Sequence, residues 1–191
     1  NLIYVDKNRI AATGHSAGGN AAIRGAAYFG REAKELGVPS KLHSVYVSGY
    51  VLTLRKSVLR DVKSNIGVSY ALYDEGAFRN KLKSGDMRYA PEALRVVNSD
   101  VPSSNSKVTE VELGKFYGDV LSRNARVIHN EPLLHPFQPY NGLATENQIS
   151  YFEKVLSHNS TITPDNQIWQ WKELFGLISL ITSLIMLIPL G

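Results

Sequence analysis

The stretch Ala11-Ala12-Thr13-Gly14-His15-Ser16-Ala17-Gly18-Gly19-Asn20 decides the fold, because it joins an apolar run to a run of helix formers through a serine. Residues 10–13 predict a short buried strand, and residues 17–31 carry apolar residues at helical spacing. Gly-x-Ser-x-Gly between them is typical of a sharp turn that exposes a nucleophilic serine. Such a turn crowds the positions two before and two after the serine, so glycine is expected at both. The first amides of the helix would stabilise an oxyanion at the same place.

The composition restricts the classes of function. The chain has 191 residues, 43% of them hydrophobic, and a net charge of +4, which suits one domain with a real core. The charge excess is mild and no basic run contains interleaved aromatic residues, so we expect no nucleic-acid partner. Cysteine is absent, which excludes disulfides, cysteine metal sites and a thiol nucleophile. Neither a metal nor a cofactor is expected.

Strand and helix patterns alternate after the serine, which predicts an α/β fold with a parallel sheet and flanking helices. Further strands are expected at residues 42–50, 66–73 and 125–129.

Between and after these strands, other segments differ in character. Residues 51–63 predict a surface helix or excursion. Residues 78–113 are loop-rich, with a helix expected at 91–97, and a loop of this length is typical of a cap over an active site. Residues 147–156 predict an amphipathic closing helix. We therefore place the partial domain at residues 1–156.

A serine nucleophile needs a base. His135 lies in a proline-rich loop beyond the last predicted strand, at the sheet edge where α/β proteins keep their sites, and is favoured over His129. The other histidines, His15, His43 and His158, are expected to be structural or surface residues.

The base in turn needs an orienting acid. Asp74 follows a predicted strand and lies between Ser16 and His135, which is the chain order expected for a hydrolase with this turn. Glu75 is the adjacent alternative. Asp74 to Gly76 would otherwise be an ordinary turn, and Ser16 a structural serine in a glycine-rich turn.

The C-terminal segment changes in solvent preference. After a polar linker at 157–167, residues 168–191 contain two tryptophans and then seventeen residues without a charge, from 174 to 190. This pattern predicts an interfacial segment and a transmembrane helix; a buried core helix or a signal-like tail is the alternative. Only Lys154 and Lys172 lie close before the apolar run, so the domain is expected to face outward from the cell membrane.

The motif at residues 14–19, after Asp6-Lys7-Asn8-Arg9-Ile10, resembles the nucleophile region of the α/β-hydrolase superfamily. Tyr73-Asp74-Glu75, the run His135-Pro136-Phe137-Gln138-Pro139-Tyr140 and the segment at 166–173 before the apolar helix are similar to bacterial membrane-associated α/β hydrolases. The resemblance implies a parallel sheet of that fold and the following roles: Ser16 as nucleophile, Asp74 as acid, His135 as base and the Ala17 amide as one oxyanion donor.

The chain departs from that family before Ser16, where no loop for a second oxyanion donor occurs. We therefore expect a piece of a longer protein, truncated at the N-terminus and also at the C-terminus. The expected function is a membrane-tethered serine hydrolase that cleaves an ester, thioester or amide through an acyl-enzyme, with a small-molecule or lipid-like acyl substrate. The alternative is a catalytically silent domain of the same fold that binds or regulates partners at the membrane.

Overall fold

The computed structural model describes residues 4–100 and 107–188 and has an α/β fold. Four parallel strands pair in chain order, so that each strand lies beside the next one in sequence. The strands are β1 (Ala11–His15), β2 (Ser44–Ser48), β3 (Asn65–Ser69) and β4 (Arg126–His129). The predicted parallel sheet with flanking helices is therefore confirmed.

The described residues also form helices on both sides of the sheet and beyond it. The α-helices are α1 (Ala17–Leu36), α2 (Lys56–Leu59), α3 (Pro91–Val97), α4 (Gly142–Val155) and α5 (Trp169–Leu187), and the 3₁₀ helices are η1 (Ala77–Arg79) and η2 (His135–Tyr140).

The core lies on both faces of the sheet because strand side chains alternate between faces. Val45 and Val47 of β2 pack in a large cluster with α1 and α3, whereas Tyr46 between them packs in a smaller cluster with Tyr151 and Val155 of α4. Every residue of β2, β3 and β4 is buried, as expected for strands covered on two faces. β1 lies at an edge of the sheet and is only partly buried.

Helix boundaries follow from local capping. α1 ends at Gly37, which has a φ of 66° and donates its N–H to the Ala33 carbonyl, the usual left-handed end of a helix. α4 begins five residues before the predicted position 147, because the Asn141 side chain accepts the N–H of Ala144 at 3.0 Å and caps the first turn.

Two connecting segments contribute side chains to the core of the domain. Residues 51–63 are not only a surface excursion, since Val51 and Leu54 are fully buried in the large cluster. The segment 78–113 contains α3 where the sequence predicts it, but Ala93 and Val96 are also buried in that cluster. The described part of this segment therefore contributes α3 to the domain core, while Phe78, Arg79 and Asn80, also part of the expected cap, line the cavity at the candidate active site. Residues 101–106 of the expected cap lie outside the described residues.

The C-terminal helix α5 has the length and composition of a membrane span. Its nineteen residues would extend about 28 Å, close to the thickness of a bilayer core. None of them is buried against the rest of the protein, so a buried core helix is excluded. Residues 189–191 of the predicted span lie outside the described residues.

Candidate active site at the carboxyl edge of the sheet

Ser16 occupies the turn between β1 and α1 in a conformation that few non-glycine residues adopt. Its φ is 57° and its ψ is −117°, and a positive φ of this kind costs an L-residue about 1–2 kcal/mol. The Ser16 N–H donates to the Ser48 carbonyl at 2.8 Å, and its own carbonyl accepts the Asn20 N–H at 3.1 Å. The hydroxyl makes no capping bond to the helix. The backbone is therefore held on both sides while the side chain is left for the adjoining cavity.

The glycines around the turn differ in what a side chain would meet. A Cβ on Gly14 would lie 2.3 Å from the Gly18 carbonyl carbon, and a Cβ on Gly19 would lie 2.8 Å from the Ser48 carbonyl oxygen. A Cβ on Gly18 would have no atom within 4 Å. The expectation that position 18 also requires glycine for space is therefore wrong. The tight pair is Gly14 and Gly19, because these two face β2 and the turn itself.

Ser16 opens into a cavity of about 540 Å³ beyond the carboxyl ends of β1, β2 and β3. The sequence-predicted residues Ser16, Ala17, Asp74 and His135 all line it. Open α/β sheets bind ligands at this edge. The structure thus brings together four residues from three separate connections of the sheet.

Asp74 and His135 form a direct pair within this cavity. Asp74 Oδ2 lies 2.8 Å from His135 Nδ1, and Asp74 Oδ1 accepts the N–H of Gly76 at 2.6 Å. The Asp74 side chain is nearly inaccessible to solvent. Glu75, the alternative acid, instead accepts the backbone N–H of His135 at 3.3 Å. Asp74 is therefore the carboxylate that holds the imidazole, and Glu75 holds the backbone beneath it.

His15 supports the same imidazole, which its position in sequence did not reveal. Its ring centroid lies 4.5 Å from that of His135, and its Nδ1 lies 3.1 Å from Ser48 Oγ. Burial lowers the pKa of His15, and the positive charge of a protonated His135 lowers it further, while Asp74 acts in the opposite direction. His15 is thus favoured in its neutral form beside His135. The structural role expected for it takes the specific form of a packing partner.

Gly49, directly after β2, makes this ring contact sterically feasible. Its φ is 65°, a conformation that glycine adopts at little cost. A Cβ there would lie 2.6 Å from His15 Cε1 and 2.9 Å from His135 Cε1. The two imidazoles therefore pack over a position that has room only for hydrogen. The glycine directly after the last residue of β2, in Ser48-Gly49, was the sequence signal that could have indicated a close approach here.

A buried polar network anchors η2, the helix that begins at His135. Glu131 and Gln138 are both fully buried. Glu131 Oε2 accepts from Ser69 Oγ at 2.8 Å and from Gln138 Nε2 at 3.3 Å, and Glu131 Oε1 accepts from Asn147 Nδ2 at 2.9 Å. Gln138 Nε2 also donates to Ser69 Oγ. Because a buried carboxylate is stable only with such donors, the network holds η2 against β3 and α4.

The remaining histidines lie elsewhere. His129, the alternative base, is buried at the end of β4, where its Nδ1 and Tyr46 Oη share a hydrogen bond of 2.9 Å. Burial lowers the pKa of His129 to about 4, and it does not line the cavity. His43 is half-buried rather than a surface residue, and burial is the largest cause that lowers its pKa. His158 is exposed in the linker.

The start of α1 provides the donors that an oxyanion would need. Ala17 is the first residue of the helix and lines the cavity. The first amides of an α-helix have no partner within the helix and carry its positive dipole end. Among residues 4–100 and 107–188, no cluster of three or more His, Asp or Glu side chains could hold a metal ion.

Comparison of the chain with protein-family models, with curated proteins and with solved structures finds no match. Residues 4–100 and 107–188 define the class of protein as an α/β fold with a four-stranded parallel sheet and a C-terminal apolar helix.

Proposed function

We propose that the protein is a serine hydrolase of the α/β-hydrolase type, which cleaves an ester, thioester or amide bond through an acyl-enzyme. One observation carries the proposal. Ser16, held at a strained positive φ with its hydroxyl outside the capping bonds, lines the same cavity as the Asp74–His135 pair. Strain of this kind persists where the surrounding structure requires it, and it clusters at functional sites.

The pair defines which imidazole nitrogen would act. With the Asp74 carboxylate accepting a hydrogen bond from His135 Nδ1–H at 2.8 Å, the neutral imidazole would carry its free lone pair on Nε2. Nε2 would take the proton of Ser16 as Oγ attacks the substrate carbonyl carbon. Asp74 would keep the imidazole oriented and stabilise its positive charge, without itself taking the proton.

In the remaining steps His135 would pass protons between Ser16, the leaving group and water. The tetrahedral oxygen would be stabilised by the Ala17 amide at the start of α1. When the intermediate collapses, the bond to the alcohol, thiol or amine breaks, and that group leaves with the proton from His135. Water would then lose a proton to His135 and attack the acyl carbon. The bond between the acyl carbon and Ser16 Oγ would break, His135 would return the proton to Oγ, and the carboxylic acid would leave.

Hydrolysis of p-nitrophenyl esters tests this function, with the protein expressed from its complete reading frame. Wild type is expected to release p-nitrophenol, and Ser16→Ala and His135→Ala are expected to lose that activity. Ser57→Ala is a matched control, since Ser57 is exposed in α2 away from the cavity. Activity that survives His135→Ala would contradict the mechanism. No turnover by a folded wild type would favour the catalytically silent alternative.

For location, we propose that α5 crosses the cell membrane and that the hydrolase domain faces outward. The exposure of the whole apolar helix supports the span, and the scarcity of basic residues before it supports the direction. Deleting residues 168–191 is expected to move the protein from the membrane fraction to the supernatant. Protease added to intact cells should cleave the domain; protection until lysis would reverse the direction.

A further inference from the structure

The outer side of η2 is an apolar stripe. A 3₁₀ helix has three residues per turn, so side chains at i and i+3 lie above one another. Leu134, Phe137 and Tyr140 follow this spacing and expose 43%, 59% and 63% of their surface. His135 and Gln138 share a different side of the same helix, and Gln138 is fully buried. This short helix, with Leu134 directly before it, thus places His135 at the cavity, Gln138 in the buried network and an apolar stripe, Leu134-Phe137-Tyr140, on the outside.

This apolar stripe continues into the start of α5. The Tyr140 ring centroid lies 6.4 Å from that of Trp169, the first residue of the helix. Gln167 Nε2 donates to the Gly142 carbonyl at 2.9 Å, and Trp169 Nε1 donates to Gln167 Oε1 at 2.7 Å. Six residues of 3₁₀ helix extend about 10 Å from His135 to Tyr140. The apolar helix therefore begins about 10 Å along η2 from the site.

The proposed membrane span of α5 indicates which surface the stripe would contact. If α5 spans the membrane as proposed, Trp169 and Trp171 in its first turn would lie at the membrane interface. Tyr140, the last residue of the stripe, lies beside Trp169, so this end of the stripe would lie at the level of the lipid headgroups. Phe78, which lines the cavity, is 68% exposed, and Tyr73, next to Asp74 in sequence, is 59% exposed. Exposed aromatic side chains thus occur in and next to the cavity lining as well as on the stripe.

We propose that the apolar stripe lies on the bilayer surface and that the cavity takes a long-chain acyl ester of a membrane lipid directly from the bilayer. The substrate class rests on the proposed hydrolase function, whereas the membrane contact of the stripe does not. His135, which lines the cavity, lies on the same short helix as Phe137, and the cavity lining includes the apolar side chains of Leu52 and Phe78. An acyl chain that leaves the bilayer at the stripe would therefore reach the cavity with little exposure to water. This favours a bilayer lipid over a freely soluble ester.

Membrane contact is tested without any assay of activity. The chain has no cysteine, so Phe137→Cys can be labelled at one place with bimane in the full chain reconstituted in phosphatidylcholine vesicles. Leu121→Cys is the matched control, because Leu121 is 86% exposed at the opposite, amino edge of the sheet. Nitroxide-labelled phosphatidylcholine is expected to quench the label at 137 several-fold more than at 121. Equal quenching at the two positions would overturn the proposal.

The substrate class is tested by comparing two esters of one fluorophore. Turnover of 4-methylumbelliferyl oleate in phosphatidylcholine vesicles is expected to exceed that of the butyrate in buffer. Phe137→Ser should lower this vesicle-to-buffer ratio about tenfold, because the apolar ring would no longer be buried in the bilayer. Leu121→Ser should leave the ratio unchanged. Butyrate turnover without a vesicle preference would overturn the lipid substrate alone, whereas no turnover of either ester would overturn the hydrolase function and the lipid substrate with it.

Discussion

Asp74 and His135 are 61 positions apart in the chain, yet Asp74 Oδ2 lies 2.8 Å from His135 Nδ1. The parallel sheet explains this proximity, because the segments that follow β3 and β4 leave the same edge side by side. Tyr73 N–H donates to the Leu133 carbonyl at 3.1 Å, which keeps the two segments aligned just before Asp74 and His135. The carboxylate is thereby placed to orient the imidazole.

Replacing Asp74 tests that orientation. In Asp74→Asn the retained Oδ1 can still accept the Gly76 N–H, but an amide N–H would face His135 Nδ1 and favour the wrong tautomer. Turnover of p-nitrophenyl ester is expected to fall by about 10⁴-fold, with little change in the free energy of unfolding. Glu75→Gln keeps an acceptor for the His135 backbone and should retain most activity. Equal losses in the two variants would contradict the assignment of Asp74.

The packing of the two imidazoles over Gly49 gives a second prediction. Gly49→Ala and Gly37→Ala each place an L-residue at a φ near 65°, which costs about 1–2 kcal/mol of stability. Only Gly49→Ala also places a methyl group against His15 and His135, since a Cβ at position 37 would have no neighbouring atom within 4 Å. Gly49→Ala should therefore lose about 100-fold in turnover, while Gly37→Ala keeps it. Urea unfolding and ester hydrolysis measure the two effects, and full activity in Gly49→Ala would refute the contact.

The turn itself can be tested by two glycine substitutions that should act in opposite directions. Gly14→Ala forces its Cβ against the Gly18 backbone, and such overpacking should destabilise the fold by about 3 kcal/mol. Gly18→Ala meets no neighbour and lies within α1, where alanine is better than glycine by about 0.5–1 kcal/mol. Urea unfolding monitored by circular dichroism compares them. A tolerated Gly14→Ala would be inconsistent with the crowding described.

The stability of the fold is expected to decrease at acidic pH because of the buried His129. Burial lowers its pKa from 6.5 to about 4, so the native state keeps it neutral while the unfolded chain takes up a proton below pH 6.5. Keeping His129 neutral therefore costs nothing above pH 6.5. As the pH falls from 6.5 towards 4, the free energy of unfolding should decrease by up to about 3 kcal/mol. His129→Gln should flatten this part of the curve.

Urea unfolding at pH 7.5, 6.5, 5.5 and 4.5 would measure the pH effect for wild type and His129→Gln. His15 and His43, whose pKa values are also lowered, should leave a smaller slope in the variant. Parallel curves for the two proteins would show that His129 does not carry the effect.

The sequence predicts the sheet and the order of the candidate site residues because both depend on local patterns. Alternating apolar segments place the strands, and α3 occurs at 91–97 as expected. The choice between Asp74 and Glu75 could not be made this way, since both follow β3 and only the approach of η2 decides which carboxylate meets Nδ1.

Contacts made across the sheet were also beyond sequence reasoning. His15 packs on His135, and Glu131 accepts hydrogen bonds from Ser69 and Gln138. His15 and His135, and Glu131 and Ser69, are far apart in the chain. Periodicity carries no information on such pairs. The space beside Gly18 was mispredicted for a related reason: the motif indicates a tight turn, but only the position of β2 shows that Gly19 is the crowded partner of Gly14.

Covalent labelling of Ser16 by a fluorophosphonate tests the central claim most directly, because the probe reacts with an activated serine and does not depend on the substrate. With the protein from its complete reading frame, peptide mass spectrometry should find one phosphonate adduct, on the peptide that contains Ser16. The adduct should be absent in Ser16→Ala, form much more slowly in His135→Ala, and form at the wild-type rate in Ser57→Ala. Labelling of Ser16→Ala to the same extent as wild type, or no labelling of the folded wild type, would contradict the account.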